Sequence, residues 1–382
     1  MTHRFTIDGS KALEEHLGKI CQRILGGVQA LVPARKLDAL VLGGGYGRGE
    51  GGVLRTESGD RPYNDLEFYV FVAGDRLWNA WKYQSALDHF AEILSPEAGL
   101  HVEFKIDSLQ RLRLAPVSMF SYDLVAAHRV LAGREDLFKD CEHHLEPQKI
   151  SLAEATRLLF NRCSGLLLAK ECLLRHALAI EEQSFIARNI AKAQLALGDA
   201  VLTMLGQYHW SCRERLQRLQ KVNDLAGLPS LDQIQRFHQS GVEFKLHPQL
   251  LTQSHEEMME AHRAVSAQAL EIWLWLEARR LNCPFGSANE YALSDIEKCP
   301  ETDAWKNCLL NLRTFGWKVV LDSRCRRYPR ERLFNALALL LWNSDGTSLP
   351  TFAQCLRNQL QTDVSDWHSW VGVYKQIWPS YG

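Results

Sequence analysis

An apolar strand that runs directly into a glycine-rich turn, followed by a second strand opening on two carboxylates, constrains this chain more than any other feature. The first part is Val41-Leu-Gly-Gly-Gly-Tyr-Gly-Arg-Gly-Glu50 and the second Asn64-Asp-Leu-Glu-Phe-Tyr-Val-Phe71. Strand side chains alternate between faces, so Asp65 and Glu67 project together with Leu66 opposite. Two carboxylates on one side of a strand offer hard oxygen ligands to a divalent cation. A glycine turn beside them admits backbone N–H groups close to phosphates. Together they predict metal-assisted chemistry on a nucleoside triphosphate.

Three motifs carry a family resemblance. Gly44-Gly-Tyr-Gly-Arg-Gly-Glu50 resembles the Gly-Ser-x-Ala-Arg-Gly-Glu turn of the polymerase-beta-like nucleotidyltransferases. Asn64-Asp65-Leu66-Glu67 resembles their Ser-Asp-x-Asp/Glu strand. His101-Val-Glu-Phe-Lys-Ile106 resembles the later strand that brings a third carboxylate. The likeness covers roughly residues 10 to 110. It implies that Asp65, Glu67 and Glu103 hold Mg²⁺, with Mn²⁺ as a substitute, and that Gly44, Gly45, Gly47 and Arg48 meet the phosphates. Asp107, on the same strand face as Glu103, is the fallback third carboxylate. Gly45 stands where a serine is common, and Glu67 where a second aspartate is commoner.

The chain's 382 residues exceed one minimal domain, and the length favours two or three. A net charge of −1 gives no bulk electrostatic case for nucleic acid or an anionic membrane. The first eight residues carry no signal-peptide core, and no apolar run approaches the ~20 residues that span a bilayer. None of the ten cysteines forms a Cys-x-x-Cys pair. Buried free thiols in a reducing cytoplasm are the expectation.

Residues 10 to 32 read as an amphipathic helix with Ser10 as N-cap, Leu37 to Leu42 as a strand, and Gly51 to Asn64 as loop or hairpin. Leu66 to Val72 reads as a strand, Arg76 to Leu94 as a helix, and Leu100 to Ile106 as a half-buried strand. Beyond residue 148 the strand signals fade. Ser151-Leu-Ala-Glu154 has the form of a capping box, and helical text covers 152–181, 184–206, 249–281 and 331–343. Pro229, Pro248, Pro284 and Pro350 mark connections. The expected class is α+β: a nucleotidyltransferase-like α/β domain over 1–147 and an all-α domain of five to eight helices over 148–382.

Several residues admit two roles. Glu103 is a metal ligand or a general base for the acceptor hydroxyl, or else a surface partner of Lys105. Arg48 meets a phosphate or pairs with a carboxylate. Lys192 and Asp199 are the only formal charges between Ile190 and Ser211. Lys192 either contacts a triphosphate from the helical domain or pairs with a neighbouring acid. The basic run Arg324-Cys-Arg-Arg-Tyr-Pro-Arg-Glu-Arg332 either binds an acidic ligand or RNA, or is a solvated loop before a helix. Trp273, Trp275, Trp367 and Trp370 read as core packing.

These features predict an enzyme that transfers a nucleoside monophosphate from an NTP to a hydroxyl, with a small molecule preferred over nucleic acid or protein as acceptor. The alternatives are a nucleotide-binding or scaffold protein that keeps the fold without turnover, motivated by Gly45 and Glu67, and a sugar-phosphate nucleotidyltransferase whose glycine turn also follows a strand. The base, the acceptor and the oligomeric state are not encoded in any motif.

Overall fold

A computed structural model describes residues 4–382 except 176, 226, 229, 250–252 and 344–348. The expected connection at Pro229 lies outside the described residues. The chain is a mixed α+β protein. Its elements begin with α1 (Lys11–Leu31), β1 (Leu37–Leu42), the single turn α2 (Gly44–Gly47), the hairpin β2 (Gly52–Thr56) and β3 (Gly59–Tyr63), and β4 (Leu66–Val72). Next come α3 (Arg76–Ala98), β5 (Val102–Asp107), α4 (Leu109–Leu114), α5 (Met119–Ala126) and β6 (Arg129–Ala132). Among the described residues no strand follows β6. Helices α6 (Leu152–Leu173), α7 (Ile180–Met204), α8 (Cys212–Gln220), α9 (Leu231–Leu246) and α10 (His255–Leu281) come next. They lead to α11 (Ala288–Leu293), α12 (Ala304–Phe315), α13 (Pro329–Trp342), α14 (Leu349–Leu360) and α15 (Trp367–Ile377). That is more helices than the sequence pattern foretold, because short helices such as α8 and α11 span too few turns to show a sustained period. Pro350 falls in the first turn of α14, where the absent N–H would be unbonded anyway.

Two compact units divide the chain. The first holds residues 1–151, 205–221 and 242–250, and the second 152–204, 222–241 and 251–382. The expected boundary at 147/148 lies close to the first crossing at 151/152. A single cut does not describe the division, since two later segments return to the strand-bearing unit.

The first unit is organised by a four-stranded sheet in the order β5-β4-β1-β6. Strands β4 and β5 are parallel, while β1 is antiparallel to both β4 and β6. Alternation explains its two faces. Leu40, Leu42, Leu66, Phe68, Val70 and Val72 join a core with α1 and α3. Ala39, Val41, Tyr69 and Phe71 face a second core built by Leu112, Leu124 and Phe138. Both central strands are therefore apolar on both sides, and each large side chain so buried contributes roughly 1.5–3 kcal/mol.

The local signals act as read. The Ser10 hydroxyl accepts from the Leu13 amide and caps α1, whose Leu13, Leu17, Ile20, Cys21, Ile24 and Val28 are buried. Gly51–Asn64 is a hairpin. Helix α3 ends on Gly99, whose φ of 72° suits a residue without a Cβ. Strand β6 was not foreseen, since four residues are too few to show a period. In the second unit Trp273, Trp275 and Trp370 are buried, as core packing requires. All ten cysteines are unpaired, six of them buried. No helix among the described residues is long and apolar enough to cross a membrane.

Candidate functional site

The glycine turn and the carboxylate strand meet in the first unit. The Gly43 amide donates to the Glu67 carbonyl at 2.9 Å, which seats the turn on the opening of β4. Gly44 has a φ of +60°, and a Cβ there would stand 3.3 Å from the Glu67 carboxyl carbon. Glycine thus supplies both the left-handed backbone and the close approach. Gly47 serves packing instead: a Cβ would lie 2.1 Å from the Leu42 carbonyl oxygen. Gly45 is tight against the Glu50 carbonyl, 3.0 Å from a built Cβ, so a serine would crowd this backbone.

The carboxylates are ordered by the sheet. In the parallel β4–β5 pair Glu67 is opposite Glu103, Tyr69 opposite Lys105 and Phe71 opposite Asp107. Because Val102, Phe104 and Ile106 face the α1/α3 core, Glu103, Lys105 and Asp107 share the other face with Glu67. Asp65 is not within the strand. It stands one residue before it, exposed, and follows Asn64, whose φ of 76° is left-handed for a side-chain-bearing residue.

The Lys105 ammonium lies 3.0 Å from Glu103 and 3.8 Å from Glu67. The Tyr69 hydroxyl donates to Glu67 at 2.8 Å. Its burial, followed by the charges of Glu67 and Glu103, pushes the phenol well above its ordinary pKa. Asp107 is otherwise engaged: it is buried, ion-paired with Arg111, and accepts from the Ser108 amide at 2.8 Å. As fallback ligand it is therefore committed elsewhere. Among the described residues no group of three His, Cys, Asp or Glu is gathered as a ready metal cage.

Arg48 takes the second of its two expected roles. Its guanidinium pairs with Asp123 of α5, and the Tyr208 hydroxyl donates to the same carboxylate oxygen at 3.3 Å. Glu50, the last residue of the turn motif, is 6 % exposed and is the residue that the sequence reading left without a role. It accepts from the Ser211 hydroxyl and from the Cys212 amide, the latter at 2.9 Å. Burial pulls its pKa up, but the Ser211 hydroxyl, the Lys245 ammonium and the Cys212 amide outweigh it, so the carboxyl sits below its usual range. Lys245 is itself desolvated, and burial first of all lowers its pKa; Arg48 and Arg215 press the same way, against Cys212 and Glu50. The Tyr46 hydroxyl accepts from the Tyr63 amide at 2.7 Å and donates to the Gly52 carbonyl at 2.8 Å, tying the turn to the base of the hairpin.

Asp123, Tyr208, Ser211, Arg215 and Lys245 carry no local motif, and only their place around Arg48 and Glu50 reveals them. Lys192 belongs to the second unit, exposed on α7.

The topology is not the doubly wound parallel sheet of a dinucleotide fold. A hairpin follows the glycines, and β1 pairs antiparallel with both neighbours. Comparison with protein-family models, with curated proteins and with solved structures gives no match to this chain.

Proposed function

We propose that this protein is a Mg²⁺-dependent nucleotidyltransferase, acting in the reducing cytoplasm, that moves a nucleoside monophosphate from an NTP to a hydroxyl of a small-molecule acceptor. The observation that carries the reading is the in-register pair Glu67–Glu103 beneath the glycine turn, with Asp65 at the entrance to the same strand. In this reading the strand-bearing unit is the catalytic domain and the helical unit selects the acceptor.

The donor set suits a hard cation, since it is all carboxylate oxygen with no thiol or imidazole. Asp65, Glu67 and Glu103 would hold Mg²⁺, which when bound polarises phosphoryl oxygens and lowers the pKa of a hydroxyl. Glu103 takes the proton of the acceptor hydroxyl as general base. The acceptor oxygen bonds the α-phosphorus, the bond from that phosphorus to the bridging oxygen of the β-phosphate breaks, and pyrophosphate leaves. The glycine turn approaches the phosphates through its backbone, which every NTP shares, so it does not choose the base. Lys192 is the helical-domain candidate for a triphosphate contact.

A second reading, nucleotide binding without transfer, is favoured by one contact: Lys105 already lies within ion-pair distance of both Glu67 and Glu103, where a metal ion would compete with it. One experiment separates the two. Each α-labelled NTP is incubated with Mg²⁺ and the small-molecule fraction of a cell extract, and label transfer and pyrophosphate are measured for the wild type and Asp65→Asn. Transfer by the wild type alone supports the enzyme. Saturable binding of Mg-ATP with no pyrophosphate from any NTP overturns it in favour of binding alone.

A further inference from the structure

The basic run Arg324–Arg332 is not a solvated loop. Arg327 pairs with Glu331 at 2.8 Å, and Arg330 donates to the Tyr381 carbonyl at 2.6 Å. Arg332 is 2 % exposed and donates to Asp322, to the Asn358 carbonyl and to the Asn311 side chain. A buried guanidinium with every arm engaged is part of the frame.

Beside this frame lies an open cleft of about 620 Å³ within the helical unit, in the range of small-molecule sites. Lys318, Asp322, Ser323, Arg324, Arg332 and Gln359 are among its lining residues. Three cations therefore face one carboxylate. That carboxylate is spent, since Asp322 accepts from Arg332 at 2.7 Å and from the Arg324 amide at 2.8 Å. Arg324 reaches outward to Asp295, whose side chain is 88 % exposed, so the pair is weak and exchangeable. Lys318 is exposed and has no ion pair or hydrogen bond among the described residues. Gln359 is 1 % exposed, yet its Oε1 has no hydrogen-bond partner among the described residues. A buried amide oxygen without a donor is unfavourable, and a ligand hydroxyl would supply the missing hydrogen bond.

We propose that this cleft binds a small phosphate monoester bearing free hydroxyls, of the chemical class of the sugar phosphates. Lys318 and Arg324 take the phosphate, for which ammonium and guanidinium are the suited partners. Gln359, Ser323 and the neighbouring Asn358 side chain meet hydroxyls. The surplus of positive charge excludes a cationic ligand, and the amide-rich wall disfavours a purely apolar one. This proposal does not rest on the nucleotidyltransferase reading, because none of its residues belongs to the carboxylate site.

The test is equilibrium dialysis of the full chain against radiolabelled glucose 6-phosphate, with unlabelled glucose and inorganic phosphate as competitors. Saturable binding is expected, with glucose a poor competitor. Lys318→Ala should weaken it about tenfold, the size of one charge-assisted contact, at an unchanged thermal midpoint. Arg324→Gln should weaken it further. The absence of saturable binding at millimolar ligand, wild-type affinity in both variants, or equal competition by glucose would each overturn the proposal. Inorganic phosphate binding as tightly as the ester overturns the assignment to a hydroxyl-bearing ligand.

Discussion

Replacing Glu50 tests whether the last residue of the glycine motif is a structural tie and not a ligand. Its carboxylate accepts from the Ser211 hydroxyl and the Cys212 amide, and it is 6 % exposed. Glu50→Ala removes both charge-assisted acceptors and strands a buried N–H and O–H. At about 1.5–3 kcal/mol for each such bond, partly recovered by rotation of the hydroxyl, the cost is about 3–5 kcal/mol. Glu50→Gln keeps the shape and one acceptor oxygen, so its cost is about 2 kcal/mol. For a cooperative unit of this size that lowers the midpoint by roughly 4–8 °C. Scanning calorimetry of the full chain would read the shift in the transition of the first unit. The sign with pH is also set. The folded carboxyl has a pKa below its ordinary 4.5, so its contribution is fully present above that value and is lost as pH falls through the folded pKa. The gap between wild type and Glu50→Gln should therefore be widest at neutral pH and narrow below about pH 4.5. A Glu50→Gln midpoint within about 1 °C of the wild type at pH 7, or a gap that widens on acidification, would refute the reasoning.

Two glycine substitutions should move stability in opposite directions. Gly47→Ala puts a Cβ 2.1 Å from a backbone oxygen and should cost about 3 kcal/mol or more, while Gly26→Ala, with nothing within 4 Å, should stabilise α1 by about 0.5–1 kcal/mol; denaturant midpoints check both. Asp65→Asn should reduce nucleotidyl transfer by orders of magnitude at unchanged thermal midpoint, because Asp65 is exposed; an equal fall in stability and transfer would show a structural role. His262, buried with its Nε2 on the Leu166 carbonyl, has its pKa lowered to about 4, chiefly by burial. Its unfolded form takes up a proton from about pH 6.5 downward while the folded form does not, so about 3 kcal/mol of stability should be lost between pH 6.5 and 4, and His262→Gln should remove that slope in a pH series of melts.

The features written plainly in the amino-acid order are local ones. The apolar spacing of Leu13, Leu17, Ile20 and Ile24 made α1 a helix with one buried face, and the alternation of Val102, Phe104 and Ile106 against Glu103 and Lys105 made β5 a half-buried strand. The glycines after Leu42 announced a turn that tolerates no Cβ. Each is written within a few residues, because backbone geometry fixes which positions share a face. Partners were not legible. Arg48 could have met a phosphate or a carboxylate until α5 brought Asp123 to it from 75 positions away. Glu50 acquired its role only when Ser211 came back into the first unit, and Asp107 lost its place as a candidate ligand to Arg111. The basic run looked solvated because charge in a sequence carries no burial, whereas the tertiary fold wrapped Arg332 with Asp322, Asn311 and Asn358. Periodicity tells a residue which way to face; only the path of the whole chain, which sets the contacts between distant segments, decides what it faces.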